Sequence, residues 1–245
     1  MANKYLSAGE ERAPRVRAMF SRIAARYDVL NDVMSLGLHR RWKRDVLRLA
    51  LEGRRGPVRL LDLCCGTGDL AFLAGAAGAS RVVGLDFTLP MLDVARARGR
   101  RARPAPGFAQ GDAMRLPFPD ATFDAVTIGY GLRNVADPFA CLREVRRVLA
   151  PAGRVVVLDF GKPGNPVVRA AYGGFLRTAM PLVGWLVHGD ADTYRYIPES
   201  LDAYAAQRGV VALMERAGLS GARYEDRMLG AMGLNVAEVP GPSPL

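Results

Sequence analysis

A glycine-rich turn is the strongest chemical feature of this sequence. From Leu61 to Asp69 it reads Leu-Asp-Leu-Cys-Cys-Gly-Thr-Gly-Asp, after a short apolar run and before a helical pattern. Glycines such as Gly66 and Gly68 adopt positive φ and let a backbone approach a ligand closely, which suits a strand-to-helix turn that binds a nucleotide. The turn also fits a loose dinucleotide fingerprint, because Ala71 stands at its third position. By itself it leaves open a methyl donor, a dinucleotide or a bare turn.

Carboxylates near the ends of successive predicted strands narrow this choice. Asp86 ends the second strand, where a carboxylate accepts hydrogen bonds from a ribose diol. Asp62 stands four residues before Gly66 and can bind an ammonium group, which NAD lacks. Asp112 and Ala113 follow the third strand, where a carboxylate and a backbone N–H suit an adenine ring. The combination favours S-adenosylmethionine as the cofactor.

Strand-like and helix-like segments alternate along the chain that carries these residues. Apolar runs at 58–63, 81–85, 108–110, 123–128 and 154–160 alternate with helical patterns at 69–78, 90–101 and 138–149. This order predicts an α/β fold with a doubly wound, mostly parallel, Rossmann-like sheet. Residues 161–200 interrupt the order and are predicted as a helical insertion over one edge of the site. A helix at 208–217 and strands at 222–227 and 231–237 follow.

The N-terminal region predicts a helical cap over residues 14–52, with a polar break at Asp28–Asn31. We expect Tyr27, Asp28 and Asn31 at this break to close over the cofactor, although Asp28 as a plain helix N-cap is an equal alternative. The predicted single methyltransferase domain, 1–245, thus comprises the cap, a cofactor-binding core at 58–160, the insertion at 161–200 and a C-terminal part at 201–239.

Four segments resemble the ubiquinone/menaquinone biosynthesis C-methyltransferase family, together covering about residues 14 to 237. They are Phe20–Arg44, the glycine-rich turn, the Gly-Leu-Arg-Asn-Val run at Gly131–Val135, and Asp190–Ser200. The first and third are specific to the family. The resemblance implies a class I S-adenosylmethionine-dependent methyltransferase that methylates a ring carbon of a polyprenylated quinol. We expect a naphthoquinol in menaquinone biosynthesis, with the methoxy-benzoquinol of ubiquinone biosynthesis as the alternative.

The resemblance also assigns cofactor contacts. It implies that Thr67, Asp86, Asp112 and Ala113 contact the cofactor. This sequence departs from the family at Gly129, where a serine is usual, so only a backbone contact remains there. Together with the residues of the turn, the expected cofactor-binding set is Asp62, Gly66, Thr67, Gly68, Asp86, Asp112, Ala113 and Gly129.

The expected catalytic residues are Arg133, Asn134 and Tyr27. A quinol carbon next to a hydroxyl becomes a better nucleophile as the phenolic proton leaves, so a negative oxygen must be stabilised. Arginine keeps its proton, so Arg133 is expected to act through its charge while Asn134 orients the oxygen. Tyr194 and Tyr196 are interpreted as core residues, with a place in the substrate pocket as the alternative.

Composition excludes several classes of protein. Three cysteines and two histidines are too few for a disulfide framework or a Cys/His zinc cluster, and no metal is expected. Cys64 and Cys65 are interpreted as buried strand residues. We expect no membrane-spanning helix, because no run of 18 uncharged apolar residues occurs. The N-terminus lacks a secretory pattern, so a cytoplasmic location is expected.

A surplus of positive charge bears on partners. The net charge is +10, and residues 1–59 hold 14 basic and 6 acidic residues. With a prenyl tail on the implied substrate, this predicts peripheral contact with an anionic membrane. The arginines at 96, 98, 100, 101 and 103 are interpreted as a solvated helix end, with lipid contact as the alternative.

Other functions remain as alternatives. An RNA methyltransferase is the rival that the charge suggests. The sequence lacks the Asn/Asp-Pro-Pro-Tyr/Phe motif after strand four and a separate RNA-binding module, so no nucleic-acid partner is expected. Methylation of another phenolic lipid and a non-enzymatic cofactor-binding protein are further readings. The sequence leaves a homo-oligomer open.

Overall fold

The computed structural model describes residues 12–24, 27–35, 37–102, 104–188 and 192–241. The helices in these ranges are α1 (Arg12–Ile23), α2 (Tyr27–Ser35), α3 (Leu38–Leu51), α4 (Asp69–Ala76), α5 (Leu89–Gly99), α6 (Pro138–Val148), α7 (Pro166–His188), α8 (Asp192–Ala203) and α9 (Ala206–Arg216). The strands are β1 (Arg59–Leu63), β2 (Arg81–Asp86), β3 (Gly107–Gln110), β4 (Phe123–Gly129), β5 (Leu149–Phe160), β6 (Ser220–Arg227) and β7 (Met232–Glu238). Short 3-10 turns lie at Leu132–Asn134 and Met228–Gly230.

The strands form one sheet in the order β3-β2-β1-β4-β5-β7-β6. Strands β1 to β5 pair in parallel, and β7 runs antiparallel to both β5 and β6. The strand order therefore reverses between β1 and β4, which opens a crevice at the carboxyl ends of those strands. This architecture confirms the predicted doubly wound, mostly parallel α/β fold.

The central strands are buried on both faces by helices. Leu61 and Leu63 pack with residues of α6 and α9, whereas Leu60 packs with residues of α3 and α4. All three side chains are fully buried. Burying a leucine contributes about 1.5–3 kcal/mol relative to an exposed one. This two-sided burial explains why β1 and β4 are nearly continuous apolar runs rather than alternating ones.

The predicted polar break at Asp28–Asn31 is wrong. Both residues lie within α2, and the helix boundaries lie on either side of it: α1 ends at Ile23 before α2 begins at Tyr27, and Gly37, with a φ of +76°, precedes α3. The polar residues of α2 form one side of a short amphipathic helix, which a linear sequence displays as a gap. Asp28 occupies the first helical turn, where a negative charge favours the helix dipole, so it is not an N-cap.

The start of β5 also differs from the prediction. The strand begins at Leu149, whereas the sequence predicts a helix through 149 and a strand from 154. Its register against β4 shifts between Phe123 and Ala125, which is the mark of a bulge. A bulge accommodates Pro151 within a strand, because the unpaired residues need no ladder hydrogen bond.

The predicted insertion folds into two helices that pack together, α7 and α8. Helix α8 also contacts the 3-10 turn after β4, so the insertion adjoins the crevice. Among the helices within the described ranges, none has the length and apolar character needed to cross a membrane.

Replacing Gly131 by alanine should destabilise the protein by about 1–3 kcal/mol, because the added Cβ overlaps the Cβ of Cys64 and forces a backbone shift. The matched change Gly174→Ala on α7 should be neutral or stabilise by up to about 1 kcal/mol. No atom lies within 4 Å of that added Cβ, and alanine favours a helix. Urea denaturation measures both free energies of unfolding, and equal values for the two variants would contradict this packing.

Candidate functional site

A cavity of about 410 Å³ lies at the carboxyl ends of the parallel strands. The strand side contributes Cys64, Gly66, Leu85, Asp86, Phe87, Thr88, Gln110, Gly111, Asp112, Ala113, Met114, Gly129, Tyr130, Gly131, Asn134, Val135 and Ala136. Arg17 and Phe20 of α1, Tyr27 of α2 and Met91 of α5 form the facing wall. The cap and the strand ends therefore enclose one common space.

Asp86 fixes the glycine-rich turn from the end of β2. The N–H of Gly66 donates to Oδ2 at 2.9 Å, and the N–H of Thr88 donates to Oδ1 at 2.8 Å. The side chain is 6% exposed, and burial raises the pKa of its carboxyl group despite these bonds. Each carboxylate oxygen can accept a further hydrogen bond, so Asp86 can also bind a diol in the cavity.

Asp62 presents an unsatisfied buried acceptor. Its Oδ1 accepts from the Thr127 hydroxyl at 2.9 Å, whereas its buried Oδ2 has no hydrogen-bond partner among the described residues. Burial raises the pKa of this carboxyl group to about 7, against the effects of Thr127 and the Lys43 charge. Asp62 and Thr67 line a small cavity of about 30 Å³ that shares Tyr27, Cys64, Gly66, Gly129 and Tyr130 with the larger one. A buried carboxylate with a free oxygen is suited to a cationic ligand group.

Asp112 and Ala113 line the cavity beyond β3, as expected. The N–H of Met114 donates to Asp112 Oδ1 at 2.9 Å, and the N–H of Arg115 donates to the Asp112 carbonyl at 3.1 Å. These bonds hold the turn after β3 in one conformation. The second carboxylate oxygen of Asp112 remains available to a ligand.

The glycines differ in the space around them. A Cβ on Gly66 would meet no protein atom within 4 Å, so ligand atoms can approach this backbone. A Cβ on Gly129 would lie 2.7 Å from Leu70 Cδ1, which means that a serine there would need Leu70 to move. Gly68 lines neither cavity and precedes α4 with a φ of +86°. A Cβ added to Gly68 would lie 2.9 Å from Phe108 Cζ, so the ring leaves no space for a side chain there.

A polar network joins the cap to the glycine-rich turn. The Thr67 hydroxyl, an expected cofactor contact, donates to Asp28 Oδ1 at 2.7 Å. Arg98 donates to Asp28 Oδ2 at 2.9 Å, to the Thr67 carbonyl at 2.9 Å and to Asp69 Oδ1 at 2.6 Å. Lys43 donates to Asp69 Oδ2 at 2.7 Å. Arg98 is thus a structural clamp, which corrects its interpretation as part of a solvated helix end.

The structure orients Arg133 differently from the expectation that its charge lies beside a substrate oxygen. Its Nη1 donates to Asp159 Oδ1 at 2.6 Å and to the Tyr130 carbonyl at 3.0 Å. The guanidinium also lies over the Phe160 ring, 4.6 Å from the centroid. Arg133 is buried and is not among the residues that line the cavity. The negative charge of Asp159 compensates the positive charge of Arg133 through a short, charge-assisted hydrogen bond.

Asn134 lines the cavity and is held from both sides. Its Nδ2 donates to the Tyr130 carbonyl at 3.0 Å, and the Tyr196 hydroxyl donates to its Oδ1 at 3.0 Å. Tyr196 is a buried core residue that acts on the site through this bond. The side chain of Tyr194 and the whole of Arg103 and Asp190 lie outside what the structure describes.

Tyr27 and Cys64 face the same cavity. Burial raises the pKa of the Tyr27 phenol, so this group stays protonated at neutral pH. Strand β1 ends at Leu63, so the expectation that Cys64 and Cys65 belong to the strand is wrong. Cys64 turns into the cavity wall with a φ of +57°, and burial raises the pKa of its thiol well above the usual value. It is therefore a neutral thiol at neutral pH.

Tyr130 is a site residue that sequence reasoning missed. It follows β4 directly with a φ of +60°, and its N–H donates to the Leu158 carbonyl at 2.7 Å. Such backbone conformations are uncommon for bulky residues and cluster at functional sites. Its position after Gly129, at the carboxyl end of a central strand, was the signal that could have identified it.

In the described part of the chain, no group of three His, Cys, Asp or Glu side chains is placed to hold a metal ion.

Comparison with known proteins assigns the family. Residues 7–238 match the ubiE/COQ5 methyltransferase family. A demethylmenaquinone methyltransferase of Thermus thermophilus is 45% identical over 227 residues, covering 91% of this chain and 100% of that protein. A ubiquinone/menaquinone biosynthesis C-methyltransferase, UbiE, of Cellvibrio japonicus is 40% identical over 232 residues, covering 92% of both. A demethylmenaquinone methyltransferase of Deinococcus radiodurans is 40% identical over 230 residues, covering 94% of both.

Solved structures share the fold at lower identity. A chain from the complex of the Haloferax volcanii Trm112 methyltransferase activator with a methyltransferase has a TM-score of 0.65 at 19% identity, covering 90% of this chain and 97% of that one. An N-methyltransferase of Haemonchus contortus in complex with phosphomonomethylethanolamine and S-adenosylhomocysteine has a TM-score of 0.59 at 15% identity, covering 82% and 52%. These likenesses confirm the fold class.

The residues of the cavity fit S-adenosylmethionine. The unpartnered buried oxygen of Asp62 suits its ammonium group, Asp86 suits its ribose, and open space at Gly66 admits close approach. The chain is an S-adenosylmethionine-dependent methyltransferase, and it belongs to the ubiE/COQ5 methyltransferase family.

Proposed function

We propose that this protein, acting as a single domain, methylates a ring carbon of a polyprenylated quinol and converts demethylmenaquinol to menaquinol. The observation that carries this proposal is one cavity that joins carboxylates suited to the cofactor with Phe20 and Tyr27 on its cap side and Asn134 on its strand side. Demethylmenaquinone methyltransferases are among the most similar relatives, at 45% and 40% identity, which supports the naphthoquinol ring.

The cofactor end of the cavity has a defined division of roles in this proposal. Asp62 binds the ammonium group, Asp86 accepts from the ribose hydroxyls, and Asp112 with the Ala113 N–H binds the adenine ring. The backbone of Gly66 and Gly129 allows close approach. Bound S-adenosylmethionine supplies an electrophilic methyl group on a sulfonium. The two ligands meet in one enclosed space, which turns a bimolecular reaction into a positioned one.

The cap and the turn after β4 each supply one group that acts on the acceptor. Tyr27 keeps its proton at neutral pH because burial raises its pKa, so it donates a hydrogen bond to the quinol oxygen as negative charge develops there. An amide nitrogen carries two hydrogens, and Tyr130 uses only one of those on Asn134. The second is available to the same oxygen. Both donors would stabilise the phenolate that remains when the quinol hydroxyl loses its proton to water. The adjacent carbon would then form a bond to the methyl carbon as the methyl–sulfur bond breaks, leaving S-adenosylhomocysteine, and the ring C–H proton would be lost to water.

Arg133 acts in this proposal as a positioning residue. It shares the Tyr130 carbonyl with Asn134 and anchors this turn to Asp159. The Arg133–Asp159 pair therefore fixes the position of Asn134 in the cavity wall. Because Asp159 is buried and lies on β5, it gives Arg133 a rigid anchor, and a rigid anchor positions a site residue more accurately than a mobile loop does.

The methoxy-benzoquinol of ubiquinone biosynthesis is the second candidate acceptor. Relatives named as ubiquinone/menaquinone biosynthesis C-methyltransferases are 40–42% identical to this chain, close to the values for the menaquinone-specific names. Both rings present a nucleophilic carbon beside a hydroxyl, so the same donors serve either one.

The prenyl tail requires access to a membrane, and we propose peripheral contact at the cytoplasmic face of an anionic bilayer. Exposed apolar side chains support it: Val167 and Phe175 on α7 and Leu229 in the turn before β7. Helix α7 contains no acidic residue and carries Arg169 and Arg177. Apolar groups flanked by arginine suit a bilayer interface.

Methyl transfer from labelled S-adenosylmethionine to quinols in vesicles tests the function. We expect labelled menaquinol from reduced demethylmenaquinol, and faster transfer in anionic than in neutral vesicles at low salt, because arginines attract anionic lipid. Label in the methoxy-benzoquinol as well would establish a dual-pathway enzyme. Cofactor binding without label in either quinol would refute the proposed acceptor, and equal rates in both vesicle types would refute the lipid contact.

The affinity for S-adenosylhomocysteine should fall as the pH drops below about 7. The pKa of Asp62 is raised to about 7 by burial, so below that pH its carboxyl group is protonated and no longer attracts the ammonium group. The loss approaches about tenfold per pH unit, since one proton competes with the ligand. Isothermal titration calorimetry measures it. Asp62→Asn should bind weakly with a flat pH profile, whereas Asp112→Asn should bind weakly and keep the pH dependence.

The variant Tyr27→Phe should lower kcat about 10- to 100-fold, because it removes one donor to the developing oxyanion. The dissociation constant for S-adenosylhomocysteine should stay within about twofold, since the phenyl ring keeps the cavity wall intact. Tyr224→Phe on β6 is the matched control, because that hydroxyl bonds Arg208 away from the cavity. An unchanged kcat in Tyr27→Phe would remove Tyr27 from the reaction.

A further inference from the structure

The carboxylate of Asp28 joins helix α2 to the glycine-rich turn. Asp28 Oδ1 accepts from the Thr67 hydroxyl at 2.7 Å, and Oδ2 accepts from Arg98 Nη1 at 2.9 Å. The same Nη1 donates to the Thr67 carbonyl at 2.9 Å. Arg98 comes from the end of α5, 70 residues away from Asp28, so tertiary folding alone brings the three residues together.

The contacts made by Asp28 are separable from the rest of the network. Arg98 Nη2 and Lys43 Nζ of α3 each bind one oxygen of Asp69, and neither bond involves α2. The side chain of Lys43 is only 7% exposed, whereas those of Asp28 and Arg98 are both 38% exposed. Water therefore reaches the bonds to α2 more readily than the anchor beneath them.

The position of these bonds relates them to access. Residues of α1 and α2, including Phe20 and Tyr27, form one wall of the main cavity, and the strand ends form the other. Asp28 lines neither cavity, and its two carboxylate oxygens are bonded to Thr67 and Arg98. Half-exposed ion pairs contribute little net stability, because water solvates the separated charges well. Such bonds suit a contact that breaks and reforms.

We propose that Asp28 and Arg98 form a latch that holds α2 over the cavity, and that the latch opens each time S-adenosylmethionine enters or S-adenosylhomocysteine leaves. Thr67 reinforces the closed position through its hydroxyl, while Lys43 and Asp69 keep Arg98 in place when α2 lifts. The latch sets the rate of cofactor exchange. In it the Thr67 hydroxyl binds Asp28 and not the cofactor, so the proposed cofactor contacts of Asp62, Asp86 and Asp112 are unchanged. This inference depends on the cofactor and is independent of the identity of the quinol.

The test measures binding of S-adenosylhomocysteine to the purified full chain by stopped-flow fluorescence. In Asp28→Asn, the amide still accepts from Thr67 but the ion pair is lost. Association and dissociation rate constants should both rise about three- to fivefold, as the loss of an exposed ion pair permits, with the dissociation constant within about twofold. Hydrogen exchange of amides 27–35 should become faster in this variant.

Two further variants isolate the pair. Arg98→Gln should raise both rate constants to a similar extent, and the double variant should show no further increase, because the two side chains act through one bond. Arg96→Gln is the matched control, since Arg96 lies two residues earlier on α5 and pairs with Asp93 of the same helix at 3.3 Å. Its rate constants should equal those of the parent.

The outcomes separate the latch from other roles. Unchanged rate constants and amide exchange in Asp28→Asn would overturn the proposal. Weaker binding with an unchanged association rate constant would also overturn it, because Asp28 would then act as a ligand contact. Faster exchange of ligand together with failed quinol methylation would preserve the latch and refute only the proposed acceptor.

Discussion

The carboxylate of Asp86 is the interaction on which the site depends. By accepting from Gly66 and Thr88, it holds the turn after β1 and the start of α5 to the end of β2. A parallel sheet brings these strand ends together, but it does not by itself fix the loops that leave them. One buried carboxylate supplies that constraint and still has lone pairs for a ligand. Burial still raises the pKa of this carboxyl group, so the bonds from Gly66 and Thr88 offset only part of the cost of burying its charge.

The acceptor side relies on a different principle. In the turn after β4, the side chains of Arg133 and Asn134 both donate to the Tyr130 carbonyl. The Tyr196 hydroxyl, from α8, donates to Asn134 Oδ1. Arg133 and Asn134 are each bonded to a buried partner, Asp159 and Tyr196 respectively, and these bonds fix this part of the cavity wall. Tyr130 adopts its left-handed conformation in the middle of this arrangement. The surrounding bonds are what keep that conformation populated.

Sequence reasoning located the strand-end residues but not their partners. Asp86, Asp112 and Ala113 follow from the rule that ligands bind beyond the carboxyl ends of parallel strands, and the structure places all three at the cavity. The direction of Arg133 was not predictable, since Asp159 lies 26 residues further on and either solvent or a carboxylate satisfies an arginine. The clamp by Arg98 was missed for the same reason. The polar side of α2 was misread as a break because a short helix offers too few residues for a clear period.

The pair formed by Arg133 and Asp159 restricts how this protein can evolve. Both side chains are almost completely buried, so losing either one leaves the other charge in an apolar interior at a cost of about 3–5 kcal/mol. Since the net stability of a domain is about 5–15 kcal/mol, a single substitution at either position consumes a large part of that margin. Substitutions at the two positions are therefore expected to occur together. A substitution at one position alone is expected to be selected against as long as the other charged residue is present. Under the proposed function, variation in ring specificity is expected at uncharged residues that line the cavity, such as Phe87 and Met91, and not at this buried pair.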